Sequence, residues 1–170
     1  MADRNPEQTR GRLLKAAFGQ MHAHGFQGLR VDEVLRETGL KKGAFYHHFS
    51  SKAELGYAVV EEEIQPLLES LWITPLAGIH DPITELPAML TELAMELPDT
   101  MQRHGCPLNN LAQEMATLDD GFRLRVSAIF DAWVAAFTNL FDRAKGDRYI
   151  AEEIVSEDVA RFLVASIEGC

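Results

Sequence analysis

Long apolar runs are missing from this chain: no stretch approaches the roughly 18 residues that a membrane span requires. The opening MADRNPEQTRGR contains nothing like the apolar segment of a signal peptide. Neither a membrane partner nor export is expected, and the cytosol is the expected location. Cysteine is scarce too. Cys106 and Cys170 are too few for a disulfide framework, and too few for a four-ligand zinc site unless histidines or a second subunit contribute. Reduced thiols are expected. Sustained period-2 alternation is absent, which excludes strands as main elements. Positive charge is also in deficit, with a net charge of −10 over 170 residues, so the chain as a whole does not favour a polyanion.

What is present changes that last reading. Residues 1–58 carry +3 and the remaining 112 carry −13, so only the N-terminal part can favour a nucleic acid. Helical spacing of apolar residues recurs throughout and predicts an all-α chain. Asn5-Pro6-Glu7 starts helix 1, whose stripe Leu13, Leu14, Ala17, Phe18 and Met21 ends at Gly25. Val31, Val34 and Leu35 give a short second helix, closed by Gly39 as a left-handed turn residue. A third runs from about Lys42 to Phe49. Ser51 with Glu54 forms a capping box for a fourth, expected from Lys52 to about Trp72 with a kink at Pro66. Asp81-Pro82 opens the next, with stripe Ile83, Leu86, Leu90, Leu93 and Leu97. Gly105-Cys106-Pro107 opens another, Asp119-Asp120 starts the longest seam, closed by Gly146, and Ser156 opens the last. No capping signal ends it, so a chain cut within that helix is one reading.

Residues 38–52 have the make-up of a helix-turn-helix. The second helix of such a motif enters the major groove, so it needs a tight turn before it, small residues at the duplex and donors for phosphates. Gly43 and Ala44 admit the backbone close to DNA, while Phe45 and Phe49, four apart, anchor the opposite face. Tyr46 offers a phenolic donor, and Lys41, Lys42 and Lys52 are charge partners for the backbone. The bland alternative is a small well-packed core with a solvated lysine face.

The run Gly25-Phe26, Val31-Asp32-Glu33-Val34, Thr38 to Phe49 and Ser51-Lys52 resembles the TetR family of transcriptional regulators, over residues 8–58. That resemblance implies a homodimeric repressor on a palindromic operator, released by a small molecule. It makes residues 1–50 the helix-turn-helix DNA-binding domain and 51–170 the effector-binding and dimerisation bundle. By position, Lys42, Gly43, Ala44, Tyr46, His47 and Lys52 are the expected DNA-contacting set. Arg30 and Lys41 stand where family members often have Ser or Thr, and are added as backbone contacts. His47 is the side chain expected nearest the bases.

Two further features bear on regulation. Cys106 falls at a helix start, where a thiolate is stabilised, with His104 two residues before it; its segment Gly105 to Ala112 resembles a Gly-Cys-led stretch in a TetR-like branch, some members of which sense electrophiles. Release of DNA by Cys106 modification is therefore an alternative to release by a ligand. A buried space-filling cysteine is the competing account. Trp72, Met89, Leu93, Met101, Met115, Phe122 and Trp133 are candidates to line an effector cavity, or ordinary core. Val126, Phe130, Trp133 and Phe137 on the 120–144 helix, with Phe162 and Ile167, are the expected dimer contacts, because so long an apolar seam wants a partner. No cofactor, metal or catalytic group is expected: His104 and Cys106 supply two ligands at most.

Overall fold

The computed structural model describes residues 5–169, and among these there is no strand. The helices are α1 (Pro6–Gly28), α2 (Val31–Thr38), α3 (Lys42–His48), α4 (Lys52–Val59), α5 (Gln65–Leu68), α6 (Glu85–Glu96), α7 (Asp99–His104), α8 (Pro107–Met115), α9 (Asp120–Gly146) and α10 (Ser156–Glu168). Cys170, at the end where a cut helix was considered, lies outside the described residues.

Local chemistry explains most of these bounds. The Asn5 side chain accepts from the amides of Glu7 and Gln8 ahead of Pro6, satisfying donors that no helical carbonyl can reach. Gly25 breaks α1 with φ 74°, yet three more helical residues follow it, so the helix does not end where the glycine alone would put it. Beyond α4 the chain does not run on as one kinked helix. Two π-helical turns, Val60–Ile64 and Glu69–Ile73, interrupt it, closed by Gln65 N–H to Val60 O and by Thr74 N–H to Glu69 O. Each is followed, after one residue, by a proline, Pro66 or Pro75. A proline ring crowds the carbonyl four residues back, and a wider turn relieves the clash. A 3₁₀ turn, Thr74–Gly78, ends the run.

Two compact units interleave along the sequence. The first comprises residues up to Pro66 and Arg103–Val126; the second comprises Leu67–Gln102 and residues from Ser127 onward. In the first, Leu13, Leu14, Ala17 and Met21 of α1 are buried, as are Val34, Phe45, Phe49, Leu55, Leu108, Leu111 and Phe122. In the second, Leu68, Trp72, Leu76, Met101, Phe137, Leu140 and Val164 are buried. The Ser156 hydroxyl donates to Asp142 at 2.6 Å there.

The expected α6 stripe differs from what is observed, and α10 buries only a narrow face. Of the α6 stripe only Leu86 is buried, and Ile83 is 63% exposed. On α10 the buried face runs through Ser156, Ala160 and Val164, which leaves Phe162 outward. One absence is also corrected: α9 is, by length and composition, apolar enough to cross a membrane, with mean hydropathy 1.2. Polar Asp131 and Asn139 are exposed, against buried Ile129, Trp133 and Phe137. That division is the mark of an amphipathic core helix.

Candidate DNA-binding interface

α2 ends in a Schellman turn. Gly39 takes φ 67°, its amide donates to Arg36 O, and the amide of Leu40 reaches back to Leu35 O at 3.1 Å. Thr38 is buried with its hydroxyl on Val34 O at 2.8 Å, and the Arg12 guanidinium binds its carbonyl. The turn is thus tied both to its own helix and to α1. α3 then starts from an extended Lys41. Phe45 and Phe49 are each 1% exposed, with Arg10 stacked over Phe49 at 5.2 Å.

The other side of α3 is open. Tyr46 is 63% exposed and His47 is exposed beside it. A Cβ placed on Gly43 meets nothing within 4 Å, so no neighbour in the protein requires glycine there. Hollows flank the helix. One of about 740 Å³ is lined by Arg12, Lys41, Gly43, Ala44, His47 and His48, and one of about 490 Å³ by Arg30, Asp32, Lys42 and Tyr46 among others. His48 turns partly inward, and burial, helped by His47 and Arg10, holds its pKa below the ordinary histidine value. A neutral imidazole follows at pH 7.

The cations are less free than their positions suggest. Lys42 pairs with Asp32 at 3.3 Å. Lys52, in the first turn of α4, donates to Gln27 O at 3.1 Å and lies over the Phe26 ring at 4.8 Å. Burial lowers its pKa, with the Glu114 carboxylate opposing and Arg30 adding to the fall. Arg30 and Lys41 are exposed. The expected capping box is displaced by one residue: Ser51 Oγ accepts from the Glu54 amide, but Glu54 reaches the Ser50 amide at 2.6 Å.

Cys106 is half-buried, in no disulfide, and sits at the N-cap of α8 with Pro107 in the first turn, the position expected from Pro107. His104 is exposed, its ring 5.5 Å from that of His22, whose Nε2 bonds Gly105 O at 2.8 Å. A cavity of about 400 Å³ lies here, between α1 and α8, lined by Phe18, His22, His104, Asn110, Leu111 and Glu114 among others. Of the candidate sensor residues, His104 lines this cavity and Cys106 adjoins it through Pro107. Among the described residues no group of three or more His, Cys, Asp or Glu could hold a metal.

The candidate effector residues are not gathered together. Met115 and Phe122 belong to the first unit, where Phe122 packs on Phe26 at 4.5 Å and on Tyr57 at 4.8 Å as core. Trp72, Met89, Leu93, Met101 and Trp133 belong to the second. There Trp72 and Trp133 stand 5.0 Å apart, and both indole N–H groups are buried without an acceptor among the described residues.

The dimer candidates divide in a similar way. Val126, Trp133 and Phe137 are buried within the protomer, so they need no second copy to cover them. This corrects the expectation that the whole seam seeks a partner. Phe130 and Ile167 are half-buried, and Phe162 is 70% exposed.

Over residues 13–59 the chain matches the family described as bacterial regulatory proteins, tetR family, and over residues 82–170 the transcriptional regulator LmrA/YxaF-like C-terminal domain. It is 32% identical over 137 residues to the transcriptional regulator AcuR of Cereibacter sphaeroides, covering 78% of this chain but 61% of that protein. To the transcriptional repressor SCO4008 of Streptomyces coelicolor it is 30% identical over 135 residues, covering 71% and 68%. The fold is shared with a TetR transcriptional regulator from Chloroflexus aurantiacus, at a TM-score of 0.84 and 24% identity over 98% of this chain and 84% of that one.

Proposed function

Because this chain belongs to the TetR family of transcriptional regulators, which are not enzymes, we propose that residues 1–50 bind double-stranded operator DNA and that residues 51–170 carry the dimer contact and an effector site. Two copies act on a palindromic operator as a repressor, and a small molecule or modification of Cys106 releases them. The observation that carries this reading is the outer face of α3. An exposed tyrosine and histidine flank a glycine that no neighbour in the protein requires, as expected of a helix shaped for an outside surface. Tyr46, Lys41, Lys42, Lys52 and Arg30 hold phosphates and set register, while His47, in the last turn of α3, faces the bases. Gly43 and Ala44 let the backbone approach.

An effector contact at Trp72 and Trp133 is supported by their unpaired donors. A buried polar group without a partner costs about 1–3 kcal/mol, and a ligand acceptor would recover it. Release through Cys106 is supported by its place at the α8 N-terminus, where helical amides favour an anionic sulfur.

The test is selection from random duplex DNA followed by a salt titration on the selected duplex. The expected product is a palindrome whose half-sites lie about 34–36 Å apart, or a multiple of that. If about four phosphates are neutralised per subunit, the log-log salt slope is roughly −7. A slope near zero with no enriched sequence would overturn the reading.

A further inference from the structure

Gly25 interrupts α1 and leaves the residues after it as a separate last turn, whose first amides have no helical acceptor. A side chain distant in sequence supplies one. The Glu114 carboxylate, on α8, accepts from Phe26 N–H at 2.7 Å through one oxygen and from Gln27 N–H at 2.8 Å through the other. The fit is close. A Cβ on Gly25 would stand 2.7 Å from a Glu114 oxygen, and φ 74° disfavours any other residue there. Phe26 and Gln27 are also the two residues on which Lys52 rests, the Phe26 ring and the Gln27 carbonyl both against its ammonium.

We propose that Glu114 is a positioning residue for DNA binding: by capping the broken end of α1 it fixes the platform that aims Lys52 at the phosphate backbone. Glu114 touches no DNA itself. Its carboxylate is close enough to favour the charged form of Lys52 against the cost of burial, so it supports the lysine's position and its charge together. An ammonium has three donors, and Gln27 takes one. Cys106 is the N-cap of α8, so a displacement of that helix reaches Lys52 through one side chain.

This proposal rests on the reading of Lys52 as a phosphate contact, and a double-mutant cycle separates the two. Duplex affinity and its salt slope are measured for wild type, K52A, E114A, E114Q and K52A/E114A, each first checked for helicity and melting temperature. K52A is expected to reduce the magnitude of the slope by about 2, one phosphate from each subunit of a dimer. E114A should reproduce that change, and in the K52A background it should weaken binding by no more than about twofold, because coupled residues are not additive. E114Q, which keeps one acceptor oxygen and loses the charge, should fall between wild type and E114A. A merely structural Glu114 would lower the melting temperature, leave the slope unchanged and add its full cost to that of K52A; that result overturns the proposal. If K52A itself leaves affinity and slope unchanged, the phosphate reading of Lys52 fails, and the proposal with it.

Discussion

The Lys42 ammonium lies 3.3 Å from the Asp32 carboxylate, across the turn between α2 and α3, with both side chains largely exposed. An exposed pair of this kind contributes about 0.2–1 kcal/mol, so it holds the lysine weakly while placing a negative charge beside the proposed DNA surface. D32N should therefore tighten duplex binding by up to about fivefold at low salt, with the gain vanishing near 0.5 M as screening shortens. Fluorescence anisotropy on a labelled duplex reads this directly. Weaker binding by D32N at every salt concentration would show instead that the pair orders the interface.

Gly56 of α4 faces two rings. A Cβ there would lie 2.6 Å from Phe26 and 2.7 Å from Phe122. Overpacking of this kind costs about 1–3 kcal/mol, against which alanine regains up to about 1 kcal/mol of helix propensity. G56A should destabilise the fold by a net of up to about 2 kcal/mol, read as a lower urea midpoint at unchanged m-value. An unchanged midpoint would mean that the rings yield freely.

Acid should act through Asp119. Its carboxylate accepts from Tyr57 Oη at 2.8 Å and from the Phe122 amide at 3.0 Å, at the start of α9. These bonds, the Tyr57 one foremost, hold its pKa below the ordinary aspartate value. A depressed carboxyl binds fewer protons folded than unfolded, so its contribution is complete above the unfolded value of about 3.9 and is lost as pH falls through the folded one. D119N keeps an acceptor without the charge. Its melting temperature should lie below wild type at pH 7, and the gap should narrow as pH falls below about 4. A gap constant over that range would exclude the titration as its source.

The contrast between Phe45 and Glu114 shows what the sequence could disclose. Phe45 and Phe49 sit four apart on a short helix, so their burial follows from local spacing, as do the Asn5 cap and the Gly39 turn. Glu114 acts on amides 88 residues away, and no periodicity carries that information. The same holds for the π-helical turns before Pro66 and Pro75, where the prolines announced a disturbance but not its form. Tyr46 and His47 are exposed beside Gly43 as expected, whereas Lys42 and Lys52 hold intramolecular partners that composition could not reveal. Trp133 and Phe137 read as interface because an apolar seam looks alike whether its own protomer or a second copy covers it.

Phe162 is the dimer candidate that stands outward, and burying one such ring is worth about 1.5–3 kcal/mol, twice over in a two-fold interface. F162E should shift sedimentation from dimer to monomer at micromolar concentration with helicity unchanged. F137E, at a ring buried within the protomer, should lose helicity instead. A dimer that survives F162E would place the interface elsewhere.

The effector site can be read from the indoles themselves. The chain has two tryptophans, so a ¹⁵N spectrum shows two indole N–H signals, both from donors that lack an acceptor among the described residues. A compact apolar compound carrying a carbonyl should move them downfield as a hydrogen bond forms, and the same shape without oxygen should not. Acetophenone and ethylbenzene make that comparison at nearly equal size. Downfield movement with acetophenone alone, removed for one signal by W72F, supports an acceptor-bearing effector between Trp72 and Trp133. Equal movement with both compounds would mean that shape and not the orphaned donors governs entry, and no movement with either would leave the two indoles as core.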